Sequence, residues 1–470
     1  MTARTTFALL LLAAGPVAAQ PAPAPGAAAV KPADDEATFA KELDSLFVKG
    51  GLTSEEAAAR APKASPDVQR KAQELAATAA QLESAKLLEV PHVAGVASYT
   101  RLSFIPPVEF PFGTMTFTIP FLQNQYILQG QLAVPVSDYF LRFPKVIEGA
   151  RLVEDSARVN SQNSELTASQ DARLAYYEWV RARLAVVIAR RQLAQVQTTL
   201  AQVRALAEVQ RVSRADLLRI ESQAANTQQA LDVLTNVVVL REEQLRLLIG
   251  ASEAEKLEMG EDVRQDIPAP QMAQLDELVK HATSRRLDLK SLDLGIRAKE
   301  AQQAQEIANQ LPHLSAFANV DYDRPNQRQF PQRDEFKFTW LAGVQVTWVL
   351  NDFLQSRASE HRIAAETNQL RADRDGLVRA TRLQVLGAQQ AVQVALLALQ
   401  TSQASLVSAE EGYRVRRELL NAERATAVEL VDAQTTLTQA RVAALNARID
   451  LRVAIVQLAH ALGDDVRPTK

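Results

Sequence analysis

Hydrophobic residues keep a helical spacing over most of the chain. In the last long segment Leu430, Leu437, Leu451 and Leu458 are separated by multiples of seven, and an alanine follows each of them three residues later. A sustained seven-residue repeat predicts supercoiled α-helices, and a seam of alanine lets neighbouring helices approach closely. With the Pro and Gly boundaries, this spacing predicts six helices, at about 67–89, 147–209, 214–249, 287–310, 353–420 and 426–462.

Two shorter segments alternate apolar and polar residues, which is the pattern of a β-strand with one apolar face. In 339–350 that face includes Trp340 and Trp348, which lie about 26 Å apart along a strand. This distance is close to the apolar band of an outer-membrane strand, which has aromatic residues at both interfaces. In 126–134 the apolar face begins with Tyr126. We therefore predict Tyr126, Trp340 and Trp348 as membrane-interface aromatics.

Each alternating segment has a predicted partner strand that starts at a Pro-His pair, at His92 and at His313. A soluble, half-buried sheet would also alternate, but tryptophan near both ends of one apolar face is typical of a membrane strand. Residues 104–122 are apolar, and the sequence assigns them no role. The strands are predicted at about 91–105, 125–138, 312–322 and 338–351, with loops at about 102–125 and 323–337.

The sequence contains two similar halves, each of which predicts the order helix, strand, strand, helix, helix. The register between 213–250 and 426–463 is held without a gap. Three further segments of the first half match the second: 61–68 with 282–289, 90–97 with 311–318, and 134–139 with 348–353. We predict a first structural repeat at 34–250, an equatorial connection at 251–286, a second repeat at 287–463 and a tail at 464–470.

The N-terminus has the features of an exported protein. An apolar run at 7–14 is followed by small residues up to Ala19, which predicts a secretory signal peptide at 1–19. The run is too short to span a bilayer. Residues 20–33 form a Pro/Ala linker. The chain has no Cys, so no disulfide contributes to its stability.

Composition and motifs count against several other classes of function. The net charge is −3 over 470 residues, which gives no support for nucleic-acid binding. There is no Gly-rich phosphate loop, no HExxH motif and no cluster with metal-ligand spacing, so we predict neither an enzyme nor a cofactor. The five histidines are scattered, and the four methionines do not cluster.

Two helices begin with related polar motifs. Ser213 and Asp216 stand at the start of one helix, and Thr426 and Glu429 stand at the start of the other. Both pairs have the spacing of a capping box, in which two side chains satisfy the free backbone N–H groups of a helix start. The chain therefore turns back just before each motif, which makes these turns the tips of two helical hairpins.

A second carboxylate, Asp432, follows Glu429 by about one helical turn. Glu429 is explained as a helix cap, with or without a further role. Asp432 is not needed as a cap, so it is either a solvated side chain or part of a functional site. Arg417 and Arg424 are close enough in sequence to pair with these acids.

Four strands cannot close a membrane barrel, because about eight strands are the practical minimum. An open sheet edge cannot face lipid, since its backbone groups would have no hydrogen-bond partners. The chain is therefore predicted to pool its strands with copies of itself, and three copies would give twelve strands.

In this arrangement the chain resembles the TolC-like outer-membrane factor (outer membrane efflux protein) family. Beside the signal peptide, the segments that carry the resemblance are LTSEEAAARAPKASPDV (52–68), LPHLSAFANVDY (311–322), TWVLND (347–352) and ELVDAQTTLTQARVAALNARIDLRVAIVQLAHALG (429–463). The resemblance implies a mainly α fold with a small β-barrel part. The expected assembly is a homotrimer with a twelve-stranded β-barrel in the outer membrane of a Gram-negative bacterium, continued in the periplasm by an α-helical coiled-coil barrel.

The resemblance also implies a function and partners. The protein would be the exit duct of a tripartite efflux or type I secretion system. It would receive substrate from an inner-membrane pump and contact a periplasmic adaptor (membrane fusion protein). A periplasmic coiled-coil structural or adaptor-type protein without a conducting pore is the alternative.

The hairpin tips have expected roles in such a channel. Acids at the positions of Glu429 and Asp432 ring the periplasmic end of the tunnel in the family, and such a ring attracts cations. Family members often have Gly at the tip, where this chain has Gln210 and Glu423. The expected adaptor-contacting residues are Gln210, Arg211, Val212, Ser213, Glu423, Arg424, Ala425 and Thr426.

Overall fold

The computed structural model describes residues 41–119, 121–268, 272–422 and 424–464, and its fold is mainly α-helical, as predicted. The predicted signal peptide, the Pro/Ala linker, the tail beyond residue 464 and Glu423 lie outside these ranges. The helices are α1 (Ser54–Ala64), α2 (Pro66–Lys86), α3 (Asp138–Leu141), α4 (Phe143–Glu208), α5 (Arg214–Ile249), α6 (Leu275–Arg285), α7 (Leu287–Asn309), α8 (Leu350–Asn421) and α9 (Ala427–Leu462). The strands are β1 (Phe47–Leu52), β2 (His92–Arg101), β3 (Val108–Phe112), β4 (Met115–Ile119), β5 (Asn124–Val134), β6 (His313–Arg324) and β7 (Lys337–Thr347).

The chain divides into two compact units. One comprises the described residues up to Leu46 with Ala182–Val238 and Leu399–Asn446, and it includes the turns that precede α5 and α9. The other comprises Phe47–Arg181, Val239–Ala398 and the described residues from Ala447, and it includes β1 to β7. Over the described ranges, no helix is long and apolar enough to cross a membrane. In the same residues, no group of three or more His, Asp or Glu is placed to hold a metal ion.

One antiparallel sheet has the strand order β2-β5-β6-β7, so β5 and β6 join the two halves of the chain. The register places Gly130 opposite Val320 and Val320 opposite Trp340. Successive side chains of a strand point to opposite faces. Apart from polar residues at the loop end, one face therefore carries only apolar, aromatic and glycine residues: Val93, Gly95, Ala97, Tyr99, Tyr126, Leu128, Gly130, Leu132, Val134, Leu314, Ala316, Ala318, Val320, Tyr322, Phe338, Trp340, Ala342, Val344 and Val346.

The opposite face of the sheet is polar at its centre. Gln129 donates a hydrogen bond to the Asp321 carboxylate (2.9 Å), and Arg328 lies 3.4 Å from the same carboxylate. Gln345 donates to the Thr347 hydroxyl (3.1 Å). The sheet is thus amphipathic, with its charged groups confined to one side between the strand ends.

Several predicted element boundaries are wrong by a few residues. β5 ends at Val134 and not near 138, because Pro135 has no N–H for the ladder and the next residues turn into α3. β7 ends at Thr347 and α8 already begins at Leu350, so Leu350 does not extend the apolar strand face. β2 ends at Arg101 rather than near 105.

The apolar segment 104–122 is not a plain loop, as was predicted for 102–125. β3 and β4 pair within it as an antiparallel hairpin whose turn contains Gly113 with φ of +65°. Phe104, which precedes this hairpin, is 72% exposed, and Phe110 in β3 is 52% exposed. The prediction failed because the prolines of this segment hide the short strands, although a glycine at positive φ is a typical turn residue.

β1 runs beside the segment 258–260, in the region predicted as the equatorial connection. Leu52 N donates to Glu258 O and Gly260 N donates to Leu52 O, both at 2.8 Å. A Cβ atom on Gly260 would lie only 2.0 Å from Gly51 O. The two backbones can approach this closely because Gly260 has no side chain.

Next to this contact, the Glu261 carboxylate joins three helices. It accepts hydrogen bonds from the Ser54 hydroxyl (2.7 Å) and the Tyr177 hydroxyl (3.2 Å), and it lies 3.4 Å from Arg452 Nε. Burial raises the pKa of Tyr177 to about 12, so its hydroxyl stays protonated and can donate. The buried Arg452 guanidinium therefore has a counterion, without which its burial would be strongly unfavourable.

Candidate functional site

The first hairpin tip is closed by two hydrogen bonds at the end of α4. Gln210 N donates to Ala207 O (3.0 Å) and Arg211 N donates to Leu206 O (2.9 Å), which is the Schellman pattern of a helix end. Gln210 has the left-handed conformation of this motif, with φ of +57°. At the ends of α5 and α9 the residue with positive φ is glycine. The tip thus contains a conformation that costs a non-glycine residue about 1–2 kcal/mol.

We expect Gln210→Gly to stabilise the closed tip by about 1 kcal/mol, because glycine adopts positive φ without steric conflict. Hydrogen exchange of the Arg211 amide, which requires the tip to open, should slow by about fivefold. Gln210→Ala is the matched control, since it keeps the Cβ atom and should not slow exchange. Equal exchange rates in both variants would show that the tip is not strained at this residue.

The second tip begins α9 with a reciprocal pair of hydrogen bonds. Glu429 N donates to the Thr426 hydroxyl (3.3 Å), and Thr426 N donates to the Glu429 carboxylate (3.2 Å). This is the geometry of a capping box. Arg424 N donates to Leu419 O (2.8 Å) at the end of α8. Glu423, predicted for this tip, lies outside the described residues.

The start of α5 is capped differently, although it occupies the equivalent position of the repeat. Asp216 N donates to the Ser213 hydroxyl (3.1 Å), and this hydroxyl in turn donates to the Asp216 carboxylate (2.7 Å). Aspartate is one methylene shorter than glutamate, and its carboxylate bonds the cap hydroxyl instead of the cap N–H. The carboxylate of Glu429 therefore accepts from the backbone N–H of its cap residue, whereas the carboxylate of Asp216 accepts from the cap hydroxyl.

Below the tips, α4, α5 and α9 share one apolar cluster. Its buried centre consists of Leu200, Val203, Ile220 and Val431. Partly buried side chains complete it: Val212, Leu217, Ala224, Ala427 and Val428. Removing these groups from water contributes about 25 cal/mol per Å² of apolar surface. The cluster holds the starts of α5 and α9 together, which brings their polar side chains into reach of each other.

Each acid predicted for the periplasmic gate lies beside an arginine of the same chain. Arg416 Nη1 is 3.3 Å from the Glu429 carboxylate, and Arg219 Nη2 is 3.6 Å from the Asp432 carboxylate. The first pair joins α8 to α9, and the second joins α5 to α9. All four side chains are 46–64% exposed. Each pair therefore contributes only about 0–1 kcal/mol and can open at little cost.

These arginines are not the ones that sequence proximity suggested. Arg417 lies over the ring of Tyr413, at 5.5 Å from its centroid. For Asp432, the prediction from sequence proximity failed because its partner Arg219 is 213 positions away along the chain. The repeat contained the missing signal, since Arg219 occupies in the first half the position that Asp432 occupies in the second.

Of the three predicted interface aromatics, Tyr126 and Trp340 lie on the apolar face of the sheet, and Trp348 follows the end of β7. Trp340 is 67% exposed and Tyr126 is 37% exposed. Trp348 is 56% exposed and donates from its indole nitrogen to Gln310 O (3.3 Å). Tyr126 stands near the end of the sheet where a loop joins β6 to β7, and Trp348 stands at the opposite end, just before α8. Aromatic rings therefore border the apolar face at both ends of the strands.

Sequence reasoning missed an aromatic cluster at the loop end of the sheet. The ring centroids of Tyr99 and Tyr126 are 5.0 Å apart, and the ring of Phe336 lies 5.1 Å from Tyr322 and 6.0 Å from Tyr126. Alternation could have placed Tyr99 and Tyr322 on the apolar face. Phe336 had no such signal, because it precedes β7 in a loop.

Comparisons with known proteins agree with this geometry. Residues 278–464 match the model of the family described as outer membrane efflux protein. No curated protein matches the chain. The fold is similar to that of CusC, a protein studied for transmembrane channel formation (TM-score 0.72, 15% identity, 89% of this chain and 93% of that one). It is similar to the outer-membrane channel OprN (0.71, 17%, 93% and 97%) and to the open state of the MtrE outer membrane channel of Neisseria gonorrhoeae (0.72, 16%, 87% and 88%).

The resemblance to the outer membrane efflux protein family is therefore confirmed. The family match covers much of the second half of the chain, and the structural matches cover both halves. At these low identities the structural similarity shows the fold alone.

Proposed function

We propose that the chain is one subunit of a homotrimeric outer-membrane export channel, the exit duct of a tripartite efflux or type I secretion system. The observation that carries this proposal is the amphipathic sheet with one exposed apolar face and two free edges. Within the described residues, β2 pairs only with β5 and β7 pairs only with β6.

A single copy of this sheet is unfavourable in either environment. The exposed apolar face is unfavourable in water, and the free edges are unfavourable in lipid. Val344 (75%) and Val346 (67%) are examples of exposed apolar residues. Moving such side chains out of water lowers the free energy of the system. A free edge in lipid would leave its N–H and C=O groups unsatisfied. Four strands from each of three copies would close a twelve-stranded barrel and remove both problems.

The polar face would then line the lumen. Gln129, Asp321 and Gln345 on that face are groups that favour a water-filled channel over a packed interior. The Gram-negative outer membrane is the compartment in which such a barrel belongs, and the helices would extend into the periplasm.

At the periplasmic end, the hairpin tips would contact an adaptor and, through it, an inner-membrane pump. Glu429 and Asp432 would contribute two carboxylates from each of three copies to the entrance. Arg219 and Arg416 partly neutralise them in each chain. The field at the entrance therefore depends on these weak ion pairs, and it becomes more negative when they open.

The test is single-channel recording of the purified trimer in a planar bilayer. We expect discrete conductance steps that favour K⁺ over Cl⁻. Glu429→Gln/Asp432→Asn should lower the permeability ratio severalfold, towards about 1, because it removes the acids at the narrow entrance. Arg219→Gln should raise the ratio, because it leaves the Asp432 charge uncompensated.

Glu74→Gln is the matched control, since it removes an exposed carboxylate of α2 that pairs with Lys71. Selectivity that changes equally in this control would assign the effect to overall charge. Conductance that no tip variant alters would keep the channel and leave the acids as a cap and a solvated side chain. Folded protein that stays in the periplasmic fraction and never conducts would favour a coiled-coil or adaptor-type protein.

A further inference from the structure

A polar clamp joins the end of β5 to the start of β6. The buried Asp138 carboxylate lies 3.1 Å from His313 Nδ1 and 2.7 Å from Arg142. Ser137 N donates to Leu314 O (3.1 Å), and Leu314 N donates to the Ser137 hydroxyl (3.1 Å). A Ser-Asp pair at the end of one strand thus fixes a Pro-His pair at the start of the next.

The repeat contains the same two motifs a second time, but one chain cannot bring them together. His92 corresponds to His313, and Asn351 and Asp352 correspond to Ser137 and Asp138. In the sheet order β2-β5-β6-β7, His92 and Asp352 belong to opposite edges. Both residues are exposed, and in the described part of the chain neither side chain has a hydrogen-bond or ion-pair partner.

We infer that Asp352 of one copy binds His92 of the next copy and thereby fixes the register in which β7 pairs with the neighbouring β2. Asn351 of the first copy would bond the backbone of Val93 of the second, as Ser137 bonds Leu314 within the chain. This inference rests on the proposed trimer and adds the contact that closes it. Arg142 has no counterpart, because Ser356 stands at its equivalent position, so the His-Asp contact is the part of the clamp that carries over.

The register that follows can be checked against the faces of the sheet. Within the chain, Val134 of β5 lies opposite Ala316 of β6. In the repeat, Trp348 is equivalent to Val134 and Gly95 is equivalent to Ala316. The inferred register therefore places Trp348 of one copy opposite Gly95 of the next. Thr347 then faces Val96, and Gln345 faces Ser98. In this register the apolar faces of the two copies are continuous, whereas a shift of one residue would place apolar side chains on the polar face.

Gly95 adds an independent observation. A Cβ atom built on Gly95 would meet no atom within 4 Å, so the surface above it is open in the single chain. Trp348, at the edge of the apolar face, is more than half exposed. The inferred register places this indole over the glycine of the next copy, where a larger residue would compete for the space.

The chain has no Cys, so disulfide trapping can test the register directly. Residues directly opposite each other in antiparallel strands have Cα atoms about 4.5–5.5 Å apart, which is within disulfide range. We expect Ser98→Cys/Gln345→Cys, after oxidation, to give covalent trimers in heated, non-reducing gels. Val96→Cys/Gln345→Cys is the control, since its cysteines are displaced by two residues in the inferred register and should not link.

The outcomes separate this inference from the proposed function. Efficient linkage of the control pair, or of neither pair in a protein that is trimeric by analytical ultracentrifugation, would overturn the register and leave the channel intact. Absence of any trimer would overturn both.

A mutant cycle tests the His-Asp contact itself. Asp352→Ala and His92→Ala should each lower the temperature at which detergent-resistant trimers dissociate, and the double variant should lower it no further than the stronger single variant. Asp138→Ala/His313→Ala provides the comparison inside one chain. Fully additive effects of the edge variants would show that the two side chains do not meet.

Discussion

Val344→Arg is expected to prevent the protein from assembling in the outer membrane. Val344 is 75% exposed on the apolar face of β7, between Ala342 and Val346. An arginine on the lipid face of a membrane strand costs about 2–4 kcal/mol near the midplane and less towards the interfaces. At about 2 kcal/mol in each of three copies, the penalty corresponds to roughly four orders of magnitude in the assembly equilibrium. The measurement is the fraction of protein recovered as heat-modifiable trimer in the outer-membrane fraction.

The adjacent residue offers a closely matched control. Gln345 is also exposed, but it points to the polar face, where Gln345→Arg should face water in the lumen. We expect this variant to assemble at nearly the original level. Equal assembly of the two variants would show that the faces of the sheet do not differ in their contact with lipid, and it would remove the main support for the channel.

The sheet was predictable because strands with one apolar and one polar face follow a strict period of two. Trp340, Val344 and Val346 mark the apolar face in the sequence itself. The long helices were predictable for a similar reason, since the heptad spacing of Leu430 to Leu458 repeats one contact many times. Regular environments leave regular patterns in a sequence.

Contacts made once, between distant segments, left no such pattern. The pairing of Arg219 with Asp432 depends on how α5 and α9 pack, and neither residue belongs to a hydrophobic period. The β3–β4 hairpin was missed because its strands are only five residues long and prolines stand within β3 and on both sides of the hairpin. The roles of Glu429, Asp432 and the hairpin tips remain predictions, since a single chain does not include the entrance that they would form.

The glycine pair in the second compact unit is another contact of this kind, and it gives the second large expected effect. Gly260→Ala should break the backbone contact between β1 and segment 258–260, because the new Cβ atom would lie 2.0 Å from Gly51 O. The clash involves backbone, so it can be relieved only by moving the strand and breaking the hydrogen bonds of Leu52 with Glu258 and Gly260. Overpacking of this kind costs about 3 kcal/mol.

That cost should appear as local opening. Hydrogen exchange of the Leu52 amide should accelerate by roughly a hundredfold, because a free-energy loss of about 3 kcal/mol corresponds to that factor. Gly376→Ala is the control: Gly376 lies inside α8, a Cβ atom there meets nothing within 4 Å, and alanine favours a helix by about 1 kcal/mol over glycine. If Gly260→Ala left Leu52 as protected as Gly376→Ala does, the backbones of β1 and 258–260 could not be in the close contact described.

Because Glu261 directly follows Gly260, a shifted strand should also loosen the contacts of Glu261 with Tyr177 and Arg452. The fluorescence of the nearby buried Trp179 should therefore change in the Gly260 variant and not in the Gly376 variant.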